Sequence, residues 1–119
     1  MHLEIGIDCS DPDRLADFWE AALGAPGRRG DGRPYVQLLD VPGLPPVYFQ
    51  RVPEGKVVKN RLHLDLFVAD IEREVERLVA LGATAHQEVH EGGERWRVLT
   101  DPEGNEFCIC KEGGSAAGA

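Results

Sequence analysis

The feature that most constrains this chain is an internal recurrence. A polar residue, an alternating run and a helix-capping aspartate occur twice, as Glu4-Ile5-Gly6-Ile7-Asp8-Cys9-Ser10-Asp11 and as His63-Leu64-Asp65-Leu66-Phe67-Val68-Ala69-Asp70. The copies are displaced by 63 − 4 = 59 residues. Leu23-Gly24-Ala25 closes the helix after the first copy, and Leu81-Gly82-Ala83 closes the second. A recurrence of this size marks two similar supersecondary units, each laying one helix on one face of a small sheet.

The elements follow from local pattern. Glu4, Gly6 and Asp8 share one side of the first strand, with Ile5, Ile7 and Cys9 on the other. Asp11-Pro12 supplies an N-cap and a proline at the first helical position, where the missing N–H costs nothing. Leu15, Phe18, Trp19 and Ala22 make one apolar helical stripe. Strands are predicted at 35–39 and 47–51, and the glycine- and arginine-rich stretch 26–33 reads as a turn with an edge strand or pocket flap. In the second half, Leu62, Leu64, Leu66 and Val68 alternate with His63, Asp65 and Phe67. Asp70 caps a helix whose stripe is Ile71, Val75, Leu78 and Val79. Strands near 84–90, 94–100 and 105–110 complete the unit. The expected fold is α+β: two βαβββ modules forming a curved mixed sheet around a cavity. One domain over 1–111, with modules at about 2–56 and 60–111, precedes a small polar tail, 112–119, expected to be disordered.

Parity then sorts the polar residues. The leucines of the second repeat belong to the helix side, so His63 and Asp65 face the opposite, concave side; under the helix they would be desolvated at a cost of several kcal/mol. His63 is either a hydrogen-bonded structural histidine or a ligand-pocket residue. Asp65 lies two residues along the strand, about 6–7 Å away, so it is expected either to act structurally or across a neighbouring strand, or to bind substrate from the same concave side. Lys59 and Arg61, in a basic stretch with Lys56 and Asn60, are either a solvated hinge or the binding edge for an anionic substrate. Tyr48, Phe67 and Trp96 are candidate pocket walls, and Glu4 beside Asp8 is a candidate general base.

Composition narrows the partners. With 21 acidic residues against 13 Lys and Arg, the net charge of −8 disfavours nucleic acid and anionic membranes. No apolar run approaches the roughly 20 residues of a membrane span, and the start carries no export pattern. Three cysteines, Cys9, Cys108 and Cys110, fit no disulfide framework, so a cytoplasmic location is expected. No strand-glycine-helix phosphate motif occurs, so no nucleotide cofactor is expected.

Three stretches carry a family resemblance: Phe49 to Lys56, Lys59 to Leu66, and Asp101-Pro102-Glu103-Gly104-Asn105-Glu106-Phe107-Cys108. They resemble the glyoxalase and bleomycin-resistance (vicinal-oxygen-chelate) superfamily, and in particular its small bacterial glyoxalase-like domains. The resemblance implies paired βαβββ modules, a cavity for a small-molecule ligand and a homodimer. It also implies a metal position on Glu4, Gln50, His63 and Cys108, where the family more often has His or Gln in the first strand and Glu in the eighth. One divalent ion is therefore a candidate cofactor, and Cys108 tilts the donor set toward zinc. The expected function is a small-molecule enzyme, a lyase or isomerase moving a proton on an oxygenated metabolite through Glu4 and His63. The alternative is a non-catalytic small-molecule or drug-binding protein of the resistance type.

Overall fold

The computed structural model describes residues 2–113. The chain divides into two compact units, Met1–Val57 and Val58–Ala119. Both have the same element order, βαβββ, and both sheets are mixed, so the fold is α+β with two βαβββ modules.

The first unit contains β1 (Ile5–Cys9), α1 (Pro12–Leu23), β2 (Arg28–Arg29), β3 (Tyr35–Leu38) and β4 (Val47–Arg51). Its sheet runs β1-β4-β3-β2, with β1 parallel to β4 and the remaining pairs antiparallel. Asp11 caps α1 by accepting from the Arg14 N–H at 3.2 Å, and Gly24 ends it in the left-handed conformation. Leu15, Phe18 and Trp19 are buried with Val36, Leu38, Val47 and Phe49. Phe18 and Trp19 meet edge to face at 5.1 Å. The strand residues between these core positions, Gln37, Tyr48 and Gln50 among them, form the other face of the sheet.

The second unit contains β5 (Leu64–Val68), α2 (Ile71–Leu81), β6 (Thr84–Glu91), β7 (Glu94–Thr100) and β8 (Glu106–Lys111). The sheet order is β5-β8-β7-β6, with β5 parallel to β8. This is the first unit's pattern with each strand advanced by four. Ile71, Val75 and Leu78 are buried with Leu99, Phe107 and Ile109. On the opposite face Trp96, Cys108 and Cys110 form a second apolar cluster, with Val89 and Val98 packed against it. Asp101 is buried, and one of its carboxylate oxygens accepts from the N–H groups of Glu103 and Asn105, which locks the β7–β8 turn.

Two expectations about apolar stripes need correction. Leu62 is 88% exposed, because β5 starts only at Leu64, where its partner strand begins to pair; the residues before it follow a bend. Val79 is 44% exposed, because at about 100° per residue it sits about 80° round the helix from Ile71, off the stripe set by Ile71, Val75 and Leu78. Of the expected tail 112–119, residues 114–119 lie outside the described residues. Glu112 and Gly113 form a turn, the Glu112 N–H donating to the Val68 carbonyl at 2.8 Å. Among the described residues no helix is long and apolar enough to cross a membrane.

Candidate functional site

The second unit brings three chemically able side chains together. His63 stands one residue before β5, and Asp65 is the second residue of that strand. His63 Nδ1 lies 3.0 Å from Asp65 Oδ1. This corrects the expectation that two residues of strand spacing keep the pair apart: His63 precedes the strand and is not held to the pleat, so its ring folds onto the carboxylate. Both side chains are about three-quarters buried or more, at 25% and 20% exposed. An ionised carboxylate only accepts, so the bond places a proton on Nδ1, and in the neutral tautomer that has this proton Nε2 carries the lone pair.

Cys108 completes the group. The parallel β5–β8 register sets Asp65 opposite Cys108, and the His63 nitrogen, Asp65 oxygen and Cys108 sulfur all lie within 4.8 Å of one another. Burial pushes the Cys108 thiol up to about 11, the Asp65 charge and then Cys110 push the same way, and Lys59 pulls against them. Cys110 is likewise pushed up to about 11, by burial first and then by Asp65 and Glu94. Both thiols are therefore neutral near pH 7 unless a cation draws the proton off. A nitrogen, a carboxylate oxygen and a thiol fit a borderline-soft divalent ion such as zinc better than a hard one. Among the described residues this is the one such group of three.

The remaining sequence candidates distribute as follows. Phe67 and Trp96 project from the Asp65 side of the sheet. Phe67 pairs with Cys110 and is 36% exposed, whereas Trp96 is buried against Cys108 and Cys110. Lys59 and Arg61 are exposed on the segment leading into β5. Glu4, Tyr48 and Gln50 belong to the first unit and line an open hollow there of about 1170 Å³. Glu4 precedes β1 and bonds His2 Nε2 at 2.8 Å. The β1–β4 register pairs Tyr48 with Gly6 and Gln50 with Asp8, which puts Gln50 and not Arg51 on the Tyr48 face. The same hollow includes Gln37, Arg29 and Arg33, which sequence reasoning did not single out as site residues. For Gln37 the signal was present: it alternates with the buried Val36 and Leu38.

The chain matches the glyoxalase-like domain family over residues 4–110. It belongs to that family. Its fold is shared by a glyoxalase/bleomycin resistance protein/dioxygenase family enzyme from Burkholderia phytofirmans, at 21% identity, 91% of this chain and 95% of that one, and a TM-score of 0.71. A glyoxalase-related enzyme from Fulvimarina pelagi is 15% identical, with 100% and 95% covered and a TM-score of 0.70. The fosfomycin resistance protein FosX from Listeria monocytogenes, solved with Mn(II) and dihydroxypropylphosphonic acid, is 16% identical, with 95% and 89% covered and a TM-score of 0.76. No curated protein matches the chain. This glyoxalase-like chain thus carries a small-molecule binding or catalytic fold of the vicinal-oxygen-chelate superfamily, with a candidate three-residue metal group in its second unit.

Proposed function

We propose that the chain is a glyoxalase-like small-molecule enzyme, a lyase or isomerase that moves a proton on an oxygenated metabolite. The observation that carries this reading is the 3.0 Å bond between His63 and Asp65 beside Cys108. Asp65 orients the imidazole and stabilises the imidazolium that forms when Nε2 takes a proton. That proton comes from a carbon next to a carbonyl, and the C–H electron pair moves toward the carbonyl oxygen. On an α-hydroxy carbonyl substrate, the hydroxyl's proton passes to the old carbonyl oxygen and return of the abstracted proton to the old carbonyl carbon completes an isomerisation. Departure of a leaving group from the β-carbon with its electron pair, as the carbonyl re-forms, completes an elimination. Glu4 enters as a further proton carrier on the family's pattern alone. Where a divalent ion binds, His63, Asp65 and Cys108 would hold it and it would supply Lewis acidity toward the substrate's oxygens; His63 would then be a ligand in place of a base, and the proton would pass to Glu4 on the family's pattern. Lys59 and Arg61 favour a substrate that carries negative charge, and Phe67 and Trp96 supply apolar wall on the Asp65 side of the second unit's sheet.

His63→Ala is expected to abolish turnover while the circular dichroism and melting curve stay those of the parent; full turnover in that variant would remove His63 from the chemistry. Protein purified without chelator is expected to carry zinc, and Cys108→Ser to carry much less. Equal metal in both would leave Cys108 outside the ligand set.

A second reading, non-catalytic binding of an organic ligand, is favoured by the apolar cluster of Trp96, Cys110, Val89 and Val98 on the Asp65 side of the sheet. Under it, His63→Ala keeps ligand affinity and there is no turnover to lose. In either reading we take the chain to be a cytoplasmic homodimer. Cys9, Cys108 and Cys110, present as thiols and not as disulfides, suit a reducing compartment, and the exposed Val57, Val58 and Leu62 offer apolar surface to a second copy.

A further inference from the structure

We infer that the first unit carries its own binding surface for a small aromatic anion, formed by Tyr35, Tyr48, Gln37, Gln50, Arg29 and Arg33 around the open hollow. The inference concerns this face alone and does not depend on the chemistry of His63.

Its aromatic part rests on the chain's two tyrosines, both of which are here. They meet edge to face, with ring centroids 6.3 Å apart and planes at 89°. Tyr48 lies down across the sheet, over its register partner Gly6. A Cβ at position 6 would stand 2.5 Å from both the Tyr48 ring carbon Cζ and its hydroxyl oxygen, so only glycine admits this pose. Tyr35 remains 57% exposed beside it. An aromatic surface left open on a sheet's polar face, with its neighbour trimmed to glycine, is a stacking platform for a planar ring.

The anionic part rests on an excess of donors. Arg29 spends Nε and Nη2 on the Gln37 side-chain oxygen, at 3.3 and 3.1 Å. An amide oxygen engaged as acceptor leaves the Gln37 NH₂ as a donor, and Arg29 keeps further N–H groups. Neither Arg29 nor Arg33 pairs with a carboxylate among the described residues, although the chain's net charge is −8. Of the carboxylates around the hollow, Asp31 is held by Arg28 and Glu4 by His2. The turn that carries both arginines is built for closeness. Gly30, at φ +94°, brings its backbone so near the Tyr35 carbonyl that a Cβ would stand 2.6 Å from that oxygen. Guanidinium forks, a donor amide and phenol hydroxyls beside edge-to-face rings match an aryl carboxylate: the ring on the tyrosines, the carboxylate on the arginines.

The test is a titration of the full chain, ¹⁵N-labelled, with benzoate, benzamide and cyclohexanecarboxylate. Benzoate is expected to shift the amide signals of Gly6, Tyr35, Gln37 and Tyr48 saturably, and the two control compounds to bind more weakly. The Arg29→Gln/Arg33→Gln double variant should weaken benzoate about tenfold, as expected for loss of two charge-assisted contacts. His63→Ala should leave its affinity unchanged, so failure here is separable from failure of the proposed enzyme chemistry. Absence of shifts at these amides overturns the inference. So does benzamide binding as tightly as benzoate, or benzoate affinity that survives loss of both arginines.

Discussion

Gly6 illustrates how one missing methyl group shapes a face. The Tyr48 ring occupies the space a side chain at position 6 would need, so Gly6→Ala should swing the ring aside, at a cost of no more than about 1 kcal/mol because the clashing atoms are the far end of a half-buried side chain beside an open hollow. In the Tyr48→Leu background the same substitution should cost much less, and chemical denaturation of the four proteins measures the difference. The thiols supply a second residue-scale expectation. Cys110 is pushed up to about 11 by burial, so below the unfolded value near 9 it is neutral in both states and its stabilising effect is complete. Between about pH 9 and 11 the unfolded chain releases the proton before the folded one does, and stability falls as pH rises through that window. In metal-free protein, Cys110→Ala should flatten that slope relative to the parent, as read by denaturation at pH 8, 9.5 and 11. An unchanged slope would show the thiol titrating alike in both states.

Helix ends and turns hold the elements in place. Asp70 accepts from the Arg73 N–H at 3.1 Å, and Asp70→Ala should cost about 1 kcal/mol of stability through the lost cap. Asp101→Ala should cost more, about 2–3 kcal/mol, because a buried carboxylate there satisfies several donors of the β7–β8 turn, whose loss leaves them unpaired. Equal losses in the two variants, measured by urea unfolding, would contradict that ranking. At this scale the sequence was readable. Caps, proline and glycine placed both helices, and period-two alternation placed the Val47–Arg51 and Glu94–Thr100 strands to the residue. It misled at Leu62, where alternation ran on past the point at which a partner strand was present to pair.

For the whole molecule, the homodimer proposal has a direct check. Val57 and Val58 are 90% and 75% exposed in the segment between the helices' units, so Val57→Ser/Val58→Ser should shift sedimentation from the mass of two chains toward one. A parent already sedimenting as a single chain would end that proposal. The recurrence of 59 residues determined the two-unit architecture by itself, because each half carries its own strand parity, cap and helix terminator, all of them local properties. Parity also predicted that His63 and Asp65 share a side. What only the tertiary structure decided is which atoms meet. The ring of His63 reaches Asp65 because β5 starts one residue later, and Cys108 joins them because the parallel register sets it opposite Asp65. Such distances depend on strand register and side-chain lean, which arise from pairing with segments some 40 residues away and have no local signature in the chain.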